Sequence, residues 1–312
     1  MLVPGRVEIR TFMQIEPDAI DPHHHLWDLE KNHYPWLQTR PVVPRLEGDV
    51  GPIAQTYGIE DYLADIRNQS IAKSVHVEAG WDPADPVGET AWLQSIADQH
   101  GFPHGIVAHA DLDAVDVERV LEGHAQYQNV RGIRHIVCWH RDPVKSYVPD
   151  ADLLTNGRWR DGFRLLSKFG FSFDLQLYPS QMADGADLAH SHAETLIILD
   201  HTGMPVDRDE EGIRAWRQGM RQLADAPNVV TKISGLGAVD WYWTIDSLRP
   251  FVLETIDTFG ADRCMFASNF PVDKLYRDFD GLYAAFKFIT CDFTADEKRL
   301  LFHDNAARFY RL

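Results

Sequence analysis

The chain reads as a (β/α)8 barrel, and three observations carry that reading. Eight short runs rich in Ile, Val, Leu and Phe recur along its 312 residues. Stretches with the spacing of amphipathic helices lie between them, and several of those stop at a glycine shortly before the next run. Eight parallel strands, each followed by a helix, close on a filled interior. The alternative is an open, doubly wound sheet. Against it, no strand is followed by G-x-G-x-x-G or G-x-x-x-x-G-K-[ST], so nucleotide binding has no motif behind it. No internal repeat, low-complexity tract or linker divides the sequence, and residues 1–312 are read as one barrel domain.

The expected strands are 20–27, 71–79, 104–110, 131–139, 171–178, 195–201, 229–234 and 263–268. Between them, Ile59, Tyr62, Leu63 and Ile66 mark one helical stripe; Ile213, Trp216, Met220 and Leu223 mark another; Leu248, Phe251, Val252, Thr255 and Phe259 mark a third. Gly101, Gly170 and Gly260 stand where helices end. Thr294-Ala295-Asp296-Glu297 has the pattern of a capping box opening a final helix. Two connections, 28–58 and 140–158, are too long for turns. Both follow strands and so belong to the face where barrel active sites form, as lids or, on a blander reading, as decoration or an oligomer contact.

Composition narrows the partners. Apolar residues make up 45% and charged residues 25%, the balance of a soluble domain with a sizeable core. Asp plus Glu is 47 against 30 Lys plus Arg, and the formal charge of -17 opposes nucleic acid and anionic membrane surfaces. No apolar run approaches the roughly 18 residues of a membrane span, and the N-terminus reads poorly as a signal peptide. Cys138, Cys264 and Cys291 form no CxxC pair, the pattern of reduced core cysteines in a cytoplasmic protein.

Chemistry concentrates in Asp21-Pro22-His23-His24-His25-Leu26-Trp27-Asp28. On a strand, side chains two apart share a face, so His23 and His25 project together and His24 points away. Two such imidazoles can hold one metal ion or one polarised carbonyl. The other strand ends offer Glu78, Arg134, Gln176, the Asp200-His201 pair, and Ser268-Asn269-Phe270-Pro271. His23, His25, Glu78 and His201 make a nitrogen and oxygen set suited to zinc or another divalent ion. A buried glutamate needs a partner, so Glu78 is a ligand, a base, or one half of an ion pair with Arg134. His76, His135 and Lys232 read as satisfied core polar groups, and His109, His124, His190 and His192 as structural. Trp81, Trp139 and the Trp241-Tyr242-Trp243 run suggest a flat or apolar substrate wall. Arg134, Arg141 or Lys145 would supply the counter-charge for a substrate carboxylate.

IDPHHHLWD, GIRHIV, LDHTGMP, KISGL, SNFPVD and the terminal NAARFYRL resemble the amidohydrolase superfamily in its amidohydrolase-related branch, nearest to its sugar and muconate-type lactonases. The resemblance runs from about residue 19 to the C-terminus. It implies a (β/α)8 barrel of amidohydrolase type, a first-strand pair His23 and His25 that binds metal or the substrate carbonyl, a sixth-strand His201, and an Arg134 that holds a substrate carboxylate. Two positions depart from it. Gln176 stands near where metal-bearing members carry a strand-5 histidine, and Asn269 replaces the strand-8 aspartate that takes a proton from the attacking water. A carboxamide cannot take that proton, so the base falls to Glu78 or Asp273, or Asn269 only positions water.

The reading that follows is a hydrolase opening a small carboxylated lactone, in a catabolic role and with oligomer formation left open. Water is activated by Glu78; Arg134, His201 and Asn269 assist, and Trp81, Gln176 and Trp241 contact the substrate. One zinc or manganese ion sits at His23, His25, Glu78 and His201, or the mechanism is metal-free. No G-x-S-x-G elbow suggests an acyl-enzyme. Two alternatives stay open: metal-dependent, non-oxidative decarboxylation of an aromatic or unsaturated acid, and a barrel that Asn269 has left non-catalytic.

Overall fold

The computed structural model describes residues 18–312 apart from Val42 and Pro44. Its eight parallel strands follow one another around the sheet in chain order. They are β1 (Ala19–His24), β2 (Ile71–Val77), β3 (Gly105–His109), β4 (Val130–Arg134), β5 (Ser172–Leu175), β6 (Ile197–Leu199), β7 (Val229–Ile233) and β8 (Cys264–Phe266). The chain beyond β8 seals the barrel: the Asn269 N–H donates to the His23 carbonyl and the His25 N–H to that of Phe270, each at 2.7 Å. Strands covered on both faces need no polar alternation, which is why they read as near-continuous apolar runs.

Two apolar layers result. Ile20, Val75, Val77, Val107, Ile198, Val230 and Met265 fill the barrel, and Ala306 and Tyr310 of the C-terminal segment join them. A larger layer fills the space between strands and helices, with Trp159, Trp216 and Phe163 almost wholly buried. Gly101 and Gly170 end their helices in the left-handed region, at φ 75° and 68°, a conformation glycine adopts without steric cost. The Thr294 capping box is formed, with Thr294 Oγ1 accepting from the Glu297 N–H at 3.2 Å. The helix it opens passes through a π turn at Leu300–Asp304 before Asn305–Phe309. Cys138 and Cys264 are core residues as expected, but Cys291 is exposed. No helix among the described residues is long and apolar enough to cross a membrane.

Close packing makes one glycine on the helix Gly157–Phe169 a sensitive position. A Cβ at Gly162 would lie 1.9 Å from the Leu112 carbonyl oxygen, which belongs to backbone and cannot rotate away. Gly162→Ala is expected to lower stability by about 1–3 kcal/mol, measured by urea unfolding. An unchanged midpoint would show that the helix can slide outward at no cost.

Candidate active site

Strand period puts His23 and His25 side by side, with ring centroids 5.0 Å apart, and His201 joins them 4.6 Å from His23. His24 turns outward, its Nε2 2.9 Å from Ser74 Oγ and its ring stacked on Tyr62. His25 Nδ1 lies 2.7 Å from the Val77 carbonyl. A carbonyl only accepts, so Nδ1 carries the proton and Nε2 is the ring's free acceptor. Burial, reinforced by the nearby Arg134 charge, brings the His25 pKa down to about 4, and burial brings that of His201 down to about 3. Both rings are therefore neutral at pH 7.

Glu78 and Arg134 face each other across the barrel mouth. Arg134 Nε donates to Glu78 Oε1 at 2.7 Å, one Nη to the Glu78 carbonyl at 2.6 Å, and the other Nη to Gln176 Oε1 at 3.0 Å. The second Glu78 oxygen accepts from the Gly80 N–H at 2.9 Å. Burial pushes the carboxyl up, but the Arg134 charge outweighs it, and the pKa settles at about 2. These bonds tie both Glu78 oxygens to protein groups and leave a poor proton acceptor. They support the ion-pair reading of Glu78 over the base and the metal ligand. They also engage most of the Arg134 fork that a substrate carboxylate would need.

Below the histidines, Lys232 and Asp200 complete a buried network. Lys232 Nζ lies 2.5 Å from Asp174 Oδ2, 3.0 Å from Asp200 Oδ1 and 3.2 Å from His23 Nδ1. The Lys232 charge overrides burial and holds the Asp200 carboxyl well below its usual range. Tyr310 reaches up from the C-terminal segment to donate to Asp174 Oδ2 at 2.8 Å. Lys232 is thus a satisfied polar group of the barrel interior, paired with the carboxylates of β5 and of the β6 end.

A metal fits here. His23, Asp200 and His201 each present a ligand atom, and these atoms lie within 4.8 Å of one another. His23 Nε2 and Asp200 Oδ2 are buried without a hydrogen-bond partner, while Asp200 Oδ1 has the Lys232 ammonium 3.0 Å away. Two imidazoles and a carboxylate form the donor set of many catalytic zinc sites. The cluster replaces Glu78 with Asp200 in the set expected from sequence, and His25 stands beside it. The sequence signal for Asp200 was its place next to His201 at a strand end.

The chain end of β8 sets Asn269 into the site. Its backbone is left-handed, φ 57°, a region asparagine tolerates better than most residues. Asn269 Oδ1 lies 3.2 Å from His25 Nε2, and its Nδ2 donates to Asp273 Oδ2 at 2.6 Å. Burial pushes the Asp273 carboxyl up to about 7, against the opposing bonds from Asn269 and the Gly237 backbone.

Above these groups opens a cavity of about 500 Å³, with His25, Glu78, Arg134, Gln176, His201 and Asn269 at its base. Both long connections roof it: Trp36, Arg45 and Glu47 come from 28–58, and Tyr147, Val148 and Pro149 from 140–158. Trp81 is in the wall as expected, whereas Trp241 is not. It is half exposed and donates to the Leu46 carbonyl at 3.1 Å, bracing the first roof loop from outside. His109, Asp111 and His135 line the cavity too. Nothing in the sequence signals this place for His109, since its strand end carries no pattern beyond the histidine itself.

A barrel with this mouth, floored by neutral imidazoles and a buried carboxylate cluster, has the architecture of an amidohydrolase-type enzyme. The chain belongs to the amidohydrolase family, whose model matches residues 20–312, and is an amidohydrolase-related hydrolase. It is 52% identical over 293 residues to the "Uncharacterized protein y4mH" of Sinorhizobium fredii, covering 94% of this chain and 98% of that one. It is 29% identical over 308 residues to an L-fucono-1,5-lactonase of Burkholderia multivorans, covering 94% and 96%. Among solved structures, an amidohydrolase from Burkholderia multivorans with bound zinc superposes with a TM-score of 0.78 at 25% identity, over 95% of this chain and 99% of that one.

Proposed function

We propose that the chain hydrolyses a small carboxylated lactone. The observation that carries this reading is the convergence of the His25 acceptor nitrogen, His201 and the Asn269 amide on one roofed cavity, beside a cluster suited to a metal. The likeness to an L-fucono-1,5-lactonase supports the same bond type. Arg45 is the better anchor for a substrate carboxylate than Arg134. Its guanidinium lies over Trp36 and Tyr147 at 5.4 and 5.2 Å from the ring centroids, and it is only loosely paired with Glu47, whose carboxylate is 3.8 Å away.

Attack by water forms a bond to the lactone carbonyl carbon while a water proton passes to His25 Nε2. The Val77 carbonyl, holding Nδ1–H, keeps that nitrogen directed at the site. In the metal-free protein His201, with Nδ1 accepting from Ser234 Oγ at 3.0 Å, carries its proton on Nε2 and donates it to the developing oxyanion. Collapse breaks the ring C–O bond, and His25 returns the proton to the departing ring oxygen, giving a hydroxy acid. His23, Asp200 and His201 would hold a divalent ion, and with it bound the Lewis acidity it would supply to the carbonyl or water would take the place of the His201 N–H.

A panel of lactones and carboxylic acids, followed by pH-stat and ultraviolet absorbance, tests the reading. Proton release from a lactone is expected. Chromophore loss with carbon dioxide release would replace it with decarboxylation, and no turnover of any compound would leave a binding barrel. Elemental mass spectrometry is expected to find about one equivalent of zinc or manganese, lost in His23→Ala. Metal-free, active protein would assign carbonyl polarisation to the imidazoles alone.

A further inference from the structure

The strand-8 asparagine and the carboxylate behind it form an arrangement that the proposed reaction does not yet use. Asp273 is 3% exposed and makes no ion pair among the described residues. Its carboxylate is bonded by the Asn269 amide and the Gly237 backbone. Asn269 and His25 line the cavity. Between them, two acceptors face each other at 3.2 Å: Asn269 Oδ1 and a His25 Nε2 whose lone pair is fixed by the bond from Nδ1 to Val77. Two facing acceptors repel unless a donor bridges them. A water molecule at the cavity floor, giving one hydrogen to each, would satisfy both and be placed for attack.

We propose that Asp273 is a positioning residue: it holds the Asn269 amide by its NH2 group, so that Oδ1 faces the cavity and orients the attacking water beside His25. The inference rests on the hydrolytic reading above. It accounts for an asparagine where a proton-accepting aspartate is expected. The carboxylate sits one residue further back in the bonding chain and acts through an amide that carries no charge into the site.

The arrangement has a direction in pH. An ionised Asp273 can only accept, so it fixes the NH2 toward itself. A protonated Asp273 can donate to Oδ1 instead, which favours the reversed amide, with NH2 turned to His25 Nε2 and the water site lost. With the carboxyl at about 7, the working orientation is populated above that pH and lost as pH falls through it. The other titratable groups bearing on Asp273 are Glu47 from the first roof loop, which raises its pKa, and Tyr276, whose own pKa Asp273 raises. Neither supplies a competing cation.

Two readouts test the proposal on the full-length chain. In 15N-labelled protein, the Asn269 side-chain amide signal, identified by its absence in Asn269→Asp, should shift with a midpoint near pH 7, and should not titrate in Asp273→Asn. With a lactone substrate, Asp273→Leu should lower kcat roughly 10- to 100-fold with KM little changed, as for other residues that orient catalytic groups. Asp273→Asn, whose carboxamide can still accept from Asn269, should recover much of that loss and lack the acidic limb of the pH profile. An Asn269 amide unaltered between pH 5 and 9 would overturn the proposal even if the variants fold poorly. So would a folded Asp273→Leu with wild-type kcat. If no lactone is turned over, the hydrolytic reading fails separately, and the amide titration alone decides whether Asp273 sets the amide.

Discussion

Replacing Lys232 with methionine should destabilise the folded chain by about 3–5 kcal/mol, the usual cost of removing one partner from a buried ion pair. The side chain is wholly buried, and its Nζ is shared among Asp174, Asp200 and His23. Methionine fills the stem's volume and removes the charge, so the loss isolates electrostatics from packing. Asp174 would keep only the Tyr310 hydroxyl, and Asp200 would keep the Arg134 guanidinium at 3.7 Å. Two carboxylates would then face one another without a cation between them. Losing the cation also raises their pKa values, so protonation relieves the strain, and the deficit should be smaller at pH 5 than at pH 8. Urea unfolding at both values measures it. A deficit below about 1 kcal/mol at pH 8 would mean that the two carboxylates share a proton in the native chain and never needed the ammonium.

The parts of this molecule that were legible in the sequence are those fixed by local period. Eight apolar runs became eight strands because a strand covered on both faces leaves no ambiguity about what it must contain. His23 and His25 share a face because side chains on a strand alternate. What could not be read depends on closure. Asp174, Asp200 and Lys232 come from β5, the end of β6, and β7, and their meeting requires that all three side chains point to the barrel axis. Sequence period gives alternation, but it does not say which parity faces in. Trp241 shows the same limit in a loop: an aromatic run signals burial against something, and here that something is the outer side of the 28–58 roof. Arg45 and Tyr147 reach the cavity only because two long connections fold over the same mouth, a tertiary outcome without a local signature.

Glu78→Gln separates the two roles that a glutamate at this strand end could play. If Glu78 were the base, the isosteric amide would cost roughly 10²- to 10⁴-fold in kcat with little change in stability. The bonds to Arg134 and Gly80 lead to a different expectation: a stability loss of about 3 kcal/mol at pH 7, because Arg134 keeps a hydrogen-bond acceptor but loses its nearest counter-charge. The pH dependence fixes the sign. The folded pKa is depressed from 4.5 to about 2, so ionised Glu78 stabilises the fold above pH 4.5, and that contribution disappears as pH falls through the folded value. The gap between wild type and Glu78→Gln should therefore be full at pH 7 and narrow steadily below pH 4.5. A carboxyl ionised throughout pH 5–9 adds no limb to the activity profile in that range, so a limb near neutrality must come from another group. That group is Asp273, at about 7, or the cavity-wall His109, whose pKa is raised against burial by its bond to Asp111; loss of the limb in Asp273→Asn tells them apart. A variant with wild-type stability and a kcat lowered a thousandfold would return Glu78 to the role of base and require the Arg134 pair to open during turnover.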